Sequence, residues 1–416
     1  MSEKLIVKNF GPVKDAELEL KKVTIFIGPQ GSGKSTLAKL VAICKDGERS
    51  FLRSEIPVSY NYNESYYGLK TFKNEKSFFS FSSDILKLSN KGAMTEITLN
   101  ELGEILEKDG KTIKNKLSKD LENQNLDNMS KELRRFDADL EYAKMFYKYN
   151  ITSTTYIPEN RSSVTYLSSS LFGLMNNDVN LPKILTAFGN KYSIASTNDA
   201  KEDIRFVKVE GHIIGSKKPK YIELFDLQFQ HRDGQDFLID TKNNYEINLK
   251  DSASGMQSSI PLILVVRHEY SQGNKHFIIE EPELNLFPTT QKELVGYLAD
   301  KCTQNGNELL MTTHSPYILT ALNNLIFAFQ VAQVLPDRAD EIAQIIPREQ
   351  WLNPDDVAAY YVGEDENREK GGVHSIFNRK TGLIGQNELD ETSEELGDEF
   401  DALMNIYRTR KRETVN

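Results

Sequence analysis

The sequence predicts an α/β fold with a mixed central sheet, flanking helices, an N-terminal antiparallel β layer and a helical insertion. The apolar stretch Val23–Ile27 runs into a glycine-rich turn, and helical spacing follows that turn. Two later apolar stretches, at residues 277–279 and 309–311, each end in acidic or hydroxyl residues, with helical spacing between them at 290–301. Strands that alternate with helices are typical of a parallel sheet covered by helices.

The N-terminal elements are the clearest local signals. Residues 5–7 and 16–20 have strand-like patterns on either side of a turn at 9–12, which predicts an antiparallel pair. Val23–Ile27 contains only apolar and β-branched residues, as expected of a buried central strand. The strand ends at Gly28, and residues 35–41 then have the spacing of a helix.

Domain organisation follows from changes of pattern along the chain. Residues 51–100 have weak periodicity, and residues 99–149 are charged with helical spacing, so we expect a mostly helical insertion at about 60–150. After Pro158 the pattern becomes β-rich again. The sequence therefore predicts one core domain over residues 1–335, interrupted by this insertion.

Residues 336–416 form the remaining segment, which carries eight acidic and no basic residues between Glu388 and Asp401. This segment is interpreted as an acidic, partner-binding region, and the alternative is a solvated helix face. A basic cluster lies near its end, and a solvated tail or a local nucleic-acid contact would both account for it. The cluster consists of Arg408, Arg410, Lys411 and Arg412.

Composition excludes several classes of protein. Hydrophobic residues make up 39% and charged residues 27% of the 416 residues, as in ordinary globular domains. No stretch approaches the roughly 18 apolar residues that cross a bilayer, and no signal-peptide core opens the chain. Cys44 and Cys302 lack metal-ligand spacing, so we expect packing roles and a cytoplasmic protein without a membrane partner. The net charge of −10 argues against broad coating by nucleic acid.

The strongest motif lies between the third strand and the first helix, where residues 28–35 fit the pattern G-x-x-x-x-G-K-[ST]. Glycines let the backbone wrap around phosphates, so that N–H groups and the helix N-terminus point at anionic oxygens. Lys34 is predicted to reach the β- and γ-phosphates, and the Ser35 hydroxyl to coordinate Mg²⁺. The predicted nucleotide-binding residues here are Gly28, Pro29, Gln30, Gly31, Ser32, Gly33, Lys34, Ser35 and Thr36.

Two more apolar strands end in groups that suit phosphate chemistry. The strand at 277–279 runs into Glu280 and Glu281. Glu280 is predicted to hold the metal, directly or through water, and Glu281 to polarise the attacking water as general base. The strand at 309–313 ends at His314, which is predicted to sense the γ-phosphate. Lys34, Glu281 and His314 are thus the predicted catalytic residues.

A Ser/Gly turn at residues 252–259 opens an apolar helix. Such a helix start is a second anion-binding N-terminus, although an ordinary N-capped helix has the same appearance. The turn lies shortly before the strand that ends in Glu280. This position favours a binding role for Ser254, Gly255 and Gln257.

These four motifs, in this order, resemble the ABC-type P-loop ATPase head, most closely the RecF/SMC-like and OLD-like ATPases of DNA repair and bacterial anti-phage defence. The resemblance covers residues 1–45 and 250–325. It implies ATP and Mg²⁺ as cofactors and a homodimer, or a larger assembly, closed around the nucleotides. It implies that residues 254–257 are the signature loop, which reaches the γ-phosphate held by the partner subunit, and that Asn285 lines the dimer seam.

The sequence departs from the family pattern in three places. Glu280 stands where transport ATPases carry aspartate, and Met256 stands where a second glycine is common. No clear glutamine loop is found between Ser35 and Ser252. Residues 156–161 resemble a motif of the OLD-like branch, which places Arg161 either near the nucleotide or in a surface salt bridge.

The resemblance leaves the biological role open. A defence ATPase that senses an invader or controls a separate effector is the first interpretation, and a RecF-like DNA-repair or DNA-clamping ATPase is the second. A transporter subunit is disfavoured by the large insertion and by the missing glutamine loop. Residues 360–365 resemble the start of a TOPRIM nuclease, but too few residues follow to complete that domain.

Overall fold

The computed structural model confirms the α/β class and the mixed central sheet. It describes residues 3–52, 67–69, 72, 74, 76–91, 94–121, 137–138, 141, 145, 152–167, 181–199, 204–205, 208–211, 220–223, 227–240, 242–365, 368–385 and 398–404.

The strands are β1 (Glu3–Phe10), β2 (Val13–Leu20), β3 (Val23–Ile27), β4 (Phe78–Ser82), β5 (Leu86–Lys91), β6 (Met94–Leu99), β7 (Ser153–Ile157), β8 (Ile204–Arg205), β9 (Lys208–Gly211), β10 (Lys220–Glu223), β11 (Gln228–Arg232), β12 (Gln235–Asp240), β13 (Tyr245–Asn248), β14 (Lys275–Glu280), β15 (Glu308–Thr313), β16 (Val357–Asp365), β17 (Arg368–Ser375), β18 (Phe377–Asn378) and β19 (Leu383–Ile384). The helices are α1 (Lys34–Leu52), α2 (Glu101–Leu121), α3 (Ser163–Leu167), α4 (Lys183–Asp199), α5 (Ser254–Tyr270), α6 (Pro288–Cys302), α7 (Pro316–Val334) and α8 (Ala339–Ala343).

Within the described residues, eleven strands form one sheet in the order β6-β5-β4-β1-β2-β17-β16-β3-β15-β14-β7. The strands β16, β3, β15, β14 and β7 are parallel neighbours. The strands β1, β2, β4, β5 and β6 form the predicted antiparallel part, which is larger than expected. Because the carboxyl ends of parallel strands share one edge, the loops after β3, β15, β14 and β7 all emerge together.

Two hydrophobic clusters cover the two faces of the sheet. Alternate residues of β3 point to opposite faces, so Ile25 enters one cluster and Phe26 the other. The first cluster contains the buried sides of α5, α6 and α7. The second contains α1 and the inner face of the antiparallel strands. Cys44 and Cys302 are both buried in these clusters as ordinary packing residues.

Two of the smaller sheets lie between α4 and α5 in the chain, and a third pairs β18 with β19 after β17. The strands β13, β12, β11 and β8 form a four-stranded antiparallel sheet, and β9 pairs with β10. Leu249, in the short turn after β13, packs in the same core cluster as α5. This sheet therefore supports the start of α5, where the Ser/Gly turn lies.

The prediction of a mostly helical insertion at about 60–150 is wrong for its first part. Residues 78–99 form β4, β5 and β6, which extend the central sheet next to β1. The helix α2 follows them, as the helical spacing predicted. The alternation of buried residues Phe79 and Phe81 was a strand signal within this aromatic region. The predicted helical residues 122–136 and 146–150 lie outside the described residues.

The predicted end of the core domain at residue 335 is also wrong. The strand β16 pairs in parallel with β3 and antiparallel with β17, so residues after 335 are part of the central sheet. Residues 360–365, which resemble the start of a TOPRIM domain, belong to this strand. Residues 386–397 of the acidic run, and the basic cluster at 408–412, lie outside the described residues.

One helix differs from the expectation that no segment is apolar enough to cross a bilayer. By length and composition, the 19-residue α7 is sufficient. Its buried residues, among them Ile318, Leu322 and Ile326, pack in the first core cluster. Burial of one face is what a core helix of a globular domain shows, so this helix is weak evidence for a membrane span.

We expect a chain that ends at Leu335 to be unfolded, whereas a chain that ends at Gly385 keeps the native fold. The first lacks β16, in which Val357, Tyr361 and Val362 are almost fully buried. Each large apolar side chain contributes about 1.5–3 kcal/mol on burial, against a total stability of about 5–15 kcal/mol. Thermal unfolding followed by circular dichroism checks this. A cooperative native-like transition in the shorter chain would contradict the placement of β16.

Candidate functional site

The glycine-rich loop connects β3 to α1 at the carboxyl edge of the parallel strands. Gly28 has a φ of 150°, and a Cβ atom there would lie 2.0 Å from the carbonyl oxygen of Val362 in β16. A side chain is therefore excluded by the close approach of the two backbones. Pro29, Gln30 and Gly31 are exposed, while Gly33 and Thr36 are buried. The loop is thus anchored at both ends and open at its tip.

Lys34 is the first residue of α1, and its side chain lies within the loop. Its Nζ donates hydrogen bonds to the carbonyl oxygens of Gly28, at 2.8 Å, and Pro29, at 2.9 Å. The Nδ1 of His314 is 3.5 Å away. Burial lowers the pKa of Lys34 to about 8, and the nearby carboxylate of Glu281 opposes this shift. The lysine charge therefore lies in a poorly solvated place that a phosphate would stabilise.

Glu281 and His314 meet across two neighbouring strands. The Oε1 of Glu281 lies 2.8 Å from the Nε2 of His314. The hydrogen bond to His314 is the largest cause of a lowered pKa for Glu281, which keeps this carboxyl ionised. Glu281 has a φ of 43°, so its backbone adopts the left-handed conformation that is uncommon outside glycine. The structure therefore brings together the three predicted catalytic residues, whose chemical roles stay predictions.

Glu280 ends β14 and is only 3% exposed. Its Oε2 accepts a hydrogen bond from the backbone N–H of Glu159, at 3.2 Å, whereas Oε1 has no hydrogen-bond partner among the described residues. The buried hydroxyl of Tyr156 lies close to this carboxylate but outside good hydrogen-bond geometry, and burial, followed by the charge of Glu280, raises the pKa of this tyrosine. A buried carboxylate oxygen without a donor fits a divalent cation.

Mg²⁺ fits these residues better than a metal ion that takes all of its ligands from protein side chains. The described residues contain no cluster of three or more His, Cys, Asp or Glu side chains that could hold a metal. Mg²⁺ usually takes one or two protein oxygens and completes its shell with phosphates and water. The carboxylate of Glu280 and the hydroxyl of Ser35, the second residue of α1, are the groups that would hold it.

Glu283 is a site residue to which the sequence reasoning gave no role. It is 9% exposed, and its Oε1 accepts hydrogen bonds from the hydroxyl of Thr313, at 2.6 Å, and from the backbone N–H of His314, at 2.8 Å. Burial raises its pKa. Glu283 therefore fixes the loop that carries His314. The Glu-Glu-Pro-Glu pattern contained this residue, but only the parallel pairing of β14 and β15 shows its partner.

Glu159 is the second residue that was missed. The strand β7 runs parallel to β14, so Glu159, just after its end, lies beside Glu280. Burial is the main cause of its raised pKa, and the carboxylates of Glu280 and Glu281 add to it. The sequence signal for Glu159 was a strand pattern followed directly by Pro-Glu. The pairing with β14 could not be predicted locally.

The Ser/Gly turn lies against the loop that follows β14. Ser254 begins α5 and is exposed. A Cβ atom on Gly255 would lie 2.6 Å from the carbonyl oxygen of Asn285, which has a φ of 62°. The two loops that the resemblance assigns to the dimer seam are therefore in direct contact. Phe287, two residues after Asn285, is 73% exposed.

Gln257 is not available for a nucleotide, so this prediction is wrong. Its Nε2 donates to the carbonyl oxygens of Lys250 and Ser252, both at 2.8 Å. Its Oε1 accepts a hydrogen bond from the hydroxyl of Tyr166, at 2.9 Å. The side chain is 8% exposed. Gln257 therefore holds the turn before α5 in shape.

Arg161 also differs from its prediction. It is fully buried, and its guanidinium donates to the backbone carbonyl oxygens of Glu280 and Glu281, both at 2.7 Å. The surface salt bridge is therefore wrong, whereas Arg161 does lie beside the predicted catalytic turn, and its role toward a nucleotide stays a prediction. Burial lowers its pKa to about 10, with Glu283 the first of four carboxylates that oppose the shift, so the side chain stays charged at neutral pH.

Comparison with protein families matches residues 23–320, more than half of the chain, to the family described as "AAA domain, putative AbiEii toxin, Type IV TA system". No curated protein matches the chain. Among solved structures, the chain is similar to the SMC head domain from Thermotoga maritima, with 10% identity, a TM-score of 0.35 and coverage of 77% of this chain and 92% of that chain.

Two further solved structures are SMC heads with a bound partner. One is an SMC head bound to the C-winged helix domain of ScpA, with 8% identity, a TM-score of 0.39 and coverage of 91% and 98% of the two chains. The other is an SMC head with an extended coiled coil, bound to the C-terminal domain of ScpA, from Pyrococcus furiosus. It has 11% identity, a TM-score of 0.35 and coverage of 76% and 90%. Similarity at this level assigns neither activity nor partner.

The lowered pKa of Lys34 predicts a pH dependence for ATP binding. Its folded value of about 8 lies below the ordinary 10.5, and phosphate binding favours the charged form, so binding takes up protons near this pH. Affinity should be about 10-fold weaker at pH 9 than at pH 7, because the charged fraction of the free protein falls across that range. Calorimetry in buffers of different ionisation enthalpy measures both the proton uptake and the affinity at each pH. The melting temperature at each pH is the control for folding. Constant affinity over this range would contradict the assignment.

Proposed function

The chain belongs to the family described as "AAA domain, putative AbiEii toxin, Type IV TA system", and from this membership we propose that it is a Mg²⁺-dependent ATPase that works as a nucleotide-sandwich dimer. The family match confirms the predicted relationship to P-loop ATPases with an AAA domain. The observation that carries the proposal is the meeting of Lys34, Glu281 and His314 at the ends of β3, β14 and β15.

ATP binding uses the loop between β3 and α1. The backbone N–H groups of this loop and the start of α1 face the phosphates. Lys34 exchanges the carbonyl oxygens of Gly28 and Pro29 for β- and γ-phosphate oxygens, which relieves its poor solvation. Ser35 and Glu280 would hold Mg²⁺, which would neutralise part of the phosphate charge.

Hydrolysis requires a water molecule aligned with the γ-phosphate. Glu281 lies beside Lys34 and is ionised, so it accepts a hydrogen bond from this water and then its proton. His314 holds the Glu281 carboxylate on one side, and Glu283 holds the backbone of His314. Loss of the γ-phosphate would therefore be felt at the ends of both β14 and β15.

The exposed position of Ser254 supports the sandwich dimer. A helix N-terminus that faces solvent is a ready site for an anion, and the γ-phosphate of a second subunit is such an anion. Asn285 and the exposed Phe287 lie beside it, on the same loop. Groups from both subunits then neutralise the negative charge of the ATP phosphates. Hydrolysis removes one of the charges that hold the two subunits together.

For the biological role we propose a cytoplasmic defence ATPase that controls a separate effector protein. The family description, which names a putative toxin and a type IV toxin–antitoxin system, supports the defence part of this role. The net charge of −10 also favours a protein partner over nucleic acid. The acidic run at 388–401 is a suitable partner surface by its sequence.

We expect Glu281→Gln to bind ATP but to lose at least about 100-fold in kcat, because a general base contributes on this scale. The dimer should then accumulate with Mg-ATP, as measured by light scattering. Glu349→Gln, an exposed glutamate elsewhere, is the matched control and should behave as wild type. Lys34→Ala should abolish binding or hydrolysis.

Ser254→Arg added to Glu281→Gln tests the dimer geometry, because a bulky cation at the helix start would block the partner's phosphate. The double variant should bind ATP and remain monomeric. Full dimerisation of the double variant, or normal turnover by Glu281→Gln, would refute these assignments.

DNA titration separates the two biological roles. A defence ATPase that controls a protein effector should not retain DNA at about 100 mM salt, because the acidic chain offers few phosphate contacts. Binding that persists at this salt, or hydrolysis stimulated by DNA, would favour the DNA-repair role. The measurement is fluorescence anisotropy of labelled duplex with and without ATP.

A further inference from the structure

Arg161 is the largest fully buried side chain of the described residues, and the ATPase mechanism above gives it no role. It lies in the short helix Glu159–Ser162 that follows β7. Its Nε donates to the carbonyl oxygen of Ser258, at 2.8 Å. Its Nη1 donates to Glu280 at 2.7 Å and to Pro158 at 3.2 Å, and its Nη2 to Glu281 at 2.7 Å and to Pro282 at 3.4 Å.

Apart from that of Pro158, which precedes the arginine's own short helix, these carbonyl groups belong to two functional segments. Residues 280–282 are the last residue of β14 and the start of the turn after it, in which Glu281 has its left-handed backbone. Ser258 lies in the first turns of α5, the helix that presents Ser254. The hydroxyl of Ser258 also donates to the carbonyl oxygen of Leu284, at 2.9 Å. One guanidinium therefore joins the backbone of the general base to the helix that faces the second subunit.

Only arginine has the geometry for this connection. Its five N–H groups lie in one plane and point in fixed directions, whereas lysine has a single nitrogen. A buried cation is also a poor way to gain stability alone, because removing it from water is costly and an apolar side chain of similar volume packs as well. The hydrogen-bond pattern therefore indicates a role in relative positioning.

We propose that Arg161 is a positioning residue that couples the turn of Glu281 in one ATP site to the signature helix α5, which serves the other site. This proposal rests on the proposed function. A shift of residues 280–282 when ATP binds moves the guanidinium, and the guanidinium moves Ser258 and with it the start of α5. Both ATP sites of the dimer then respond to each nucleotide.

The first test compares Arg161→Lys with Lys45→Met. Lys45 is a second buried cation, 3% exposed, which pairs with Glu3 and Glu308 at the opposite end of the sheet. Both variants should lower the melting temperature. Arg161→Lys should lower kcat by about 100-fold, the scale of a small misplacement of catalytic groups, with a change of less than about threefold in KM for ATP. In the Glu281→Gln background it should also abolish the ATP-dependent dimer, whereas Lys45→Met leaves the dimer and kcat unchanged.

A second measurement does not depend on the stability of an arginine variant. In monomeric Ser254→Arg, which keeps Arg161, Mg-ATP should slow amide exchange at residues 257–260 by at least about threefold. Because this variant is monomeric, slower exchange at these residues would report an effect of ATP bound in the same subunit.

The outcomes separate the two proposals. Unchanged exchange at 257–260, or an Arg161→Lys protein with wild-type kcat and dimerisation, would overturn the coupling role and leave the ATPase intact. Absence of ATP hydrolysis by the wild-type chain would overturn the proposed function and the coupling together.

Discussion

The parallel register of four neighbouring strands is the constraint on which the site depends. Ile27 lies opposite Thr313, and Met311 lies opposite Ile279, so β3, β15 and β14 end at the same level. The strand β7 continues this alignment, with Ile157 opposite Ile279. A shift of one residue would turn each side chain to the other face of the sheet. Segments that are distant in sequence can meet at one triphosphate only because this ladder is in register.

Charge balance is the second constraint. Two buried cations, Lys34 and Arg161, lie among the carboxylates of Glu159, Glu280, Glu281 and Glu283. Among the described residues, the hydrogen-bond partners of both cations include backbone carbonyl oxygens, those of Gly28 for Lys34 and Glu280 for Arg161. The hydrogen-bonded Glu281 has a lowered pKa, while the enclosed Glu283 has a raised one. A small set of acidic groups is thereby divided into an ionised carboxylate, Glu281, and a structural hydrogen-bond acceptor, Glu283.

The features that could be predicted from the sequence are those that a short stretch of the chain determines by itself. The loop at 28–36, the acidic turn after β14 and the histidine after β15 each combine a strand with its own following turn, so each could be read from a short window. Glu159, the carbonyl partners of Arg161, the edge strands β4 to β6 and the central strand β16 depend on pairing between distant segments. No single-sequence signal gives such pairing. Gln257 was misassigned because its neighbours in space, such as Tyr166, come from another part of the chain.

The contact between Val362 and Gly28 has a consequence for synthesis of the protein. The loop that surrounds the phosphates is made early, yet the strand against which it packs is among the last parts of the described sheet to be translated. The nascent chain on the ribosome therefore carries a phosphate loop without its support. The loop gains this packing only after β16 has left the exit tunnel, long after the loop itself has been translated.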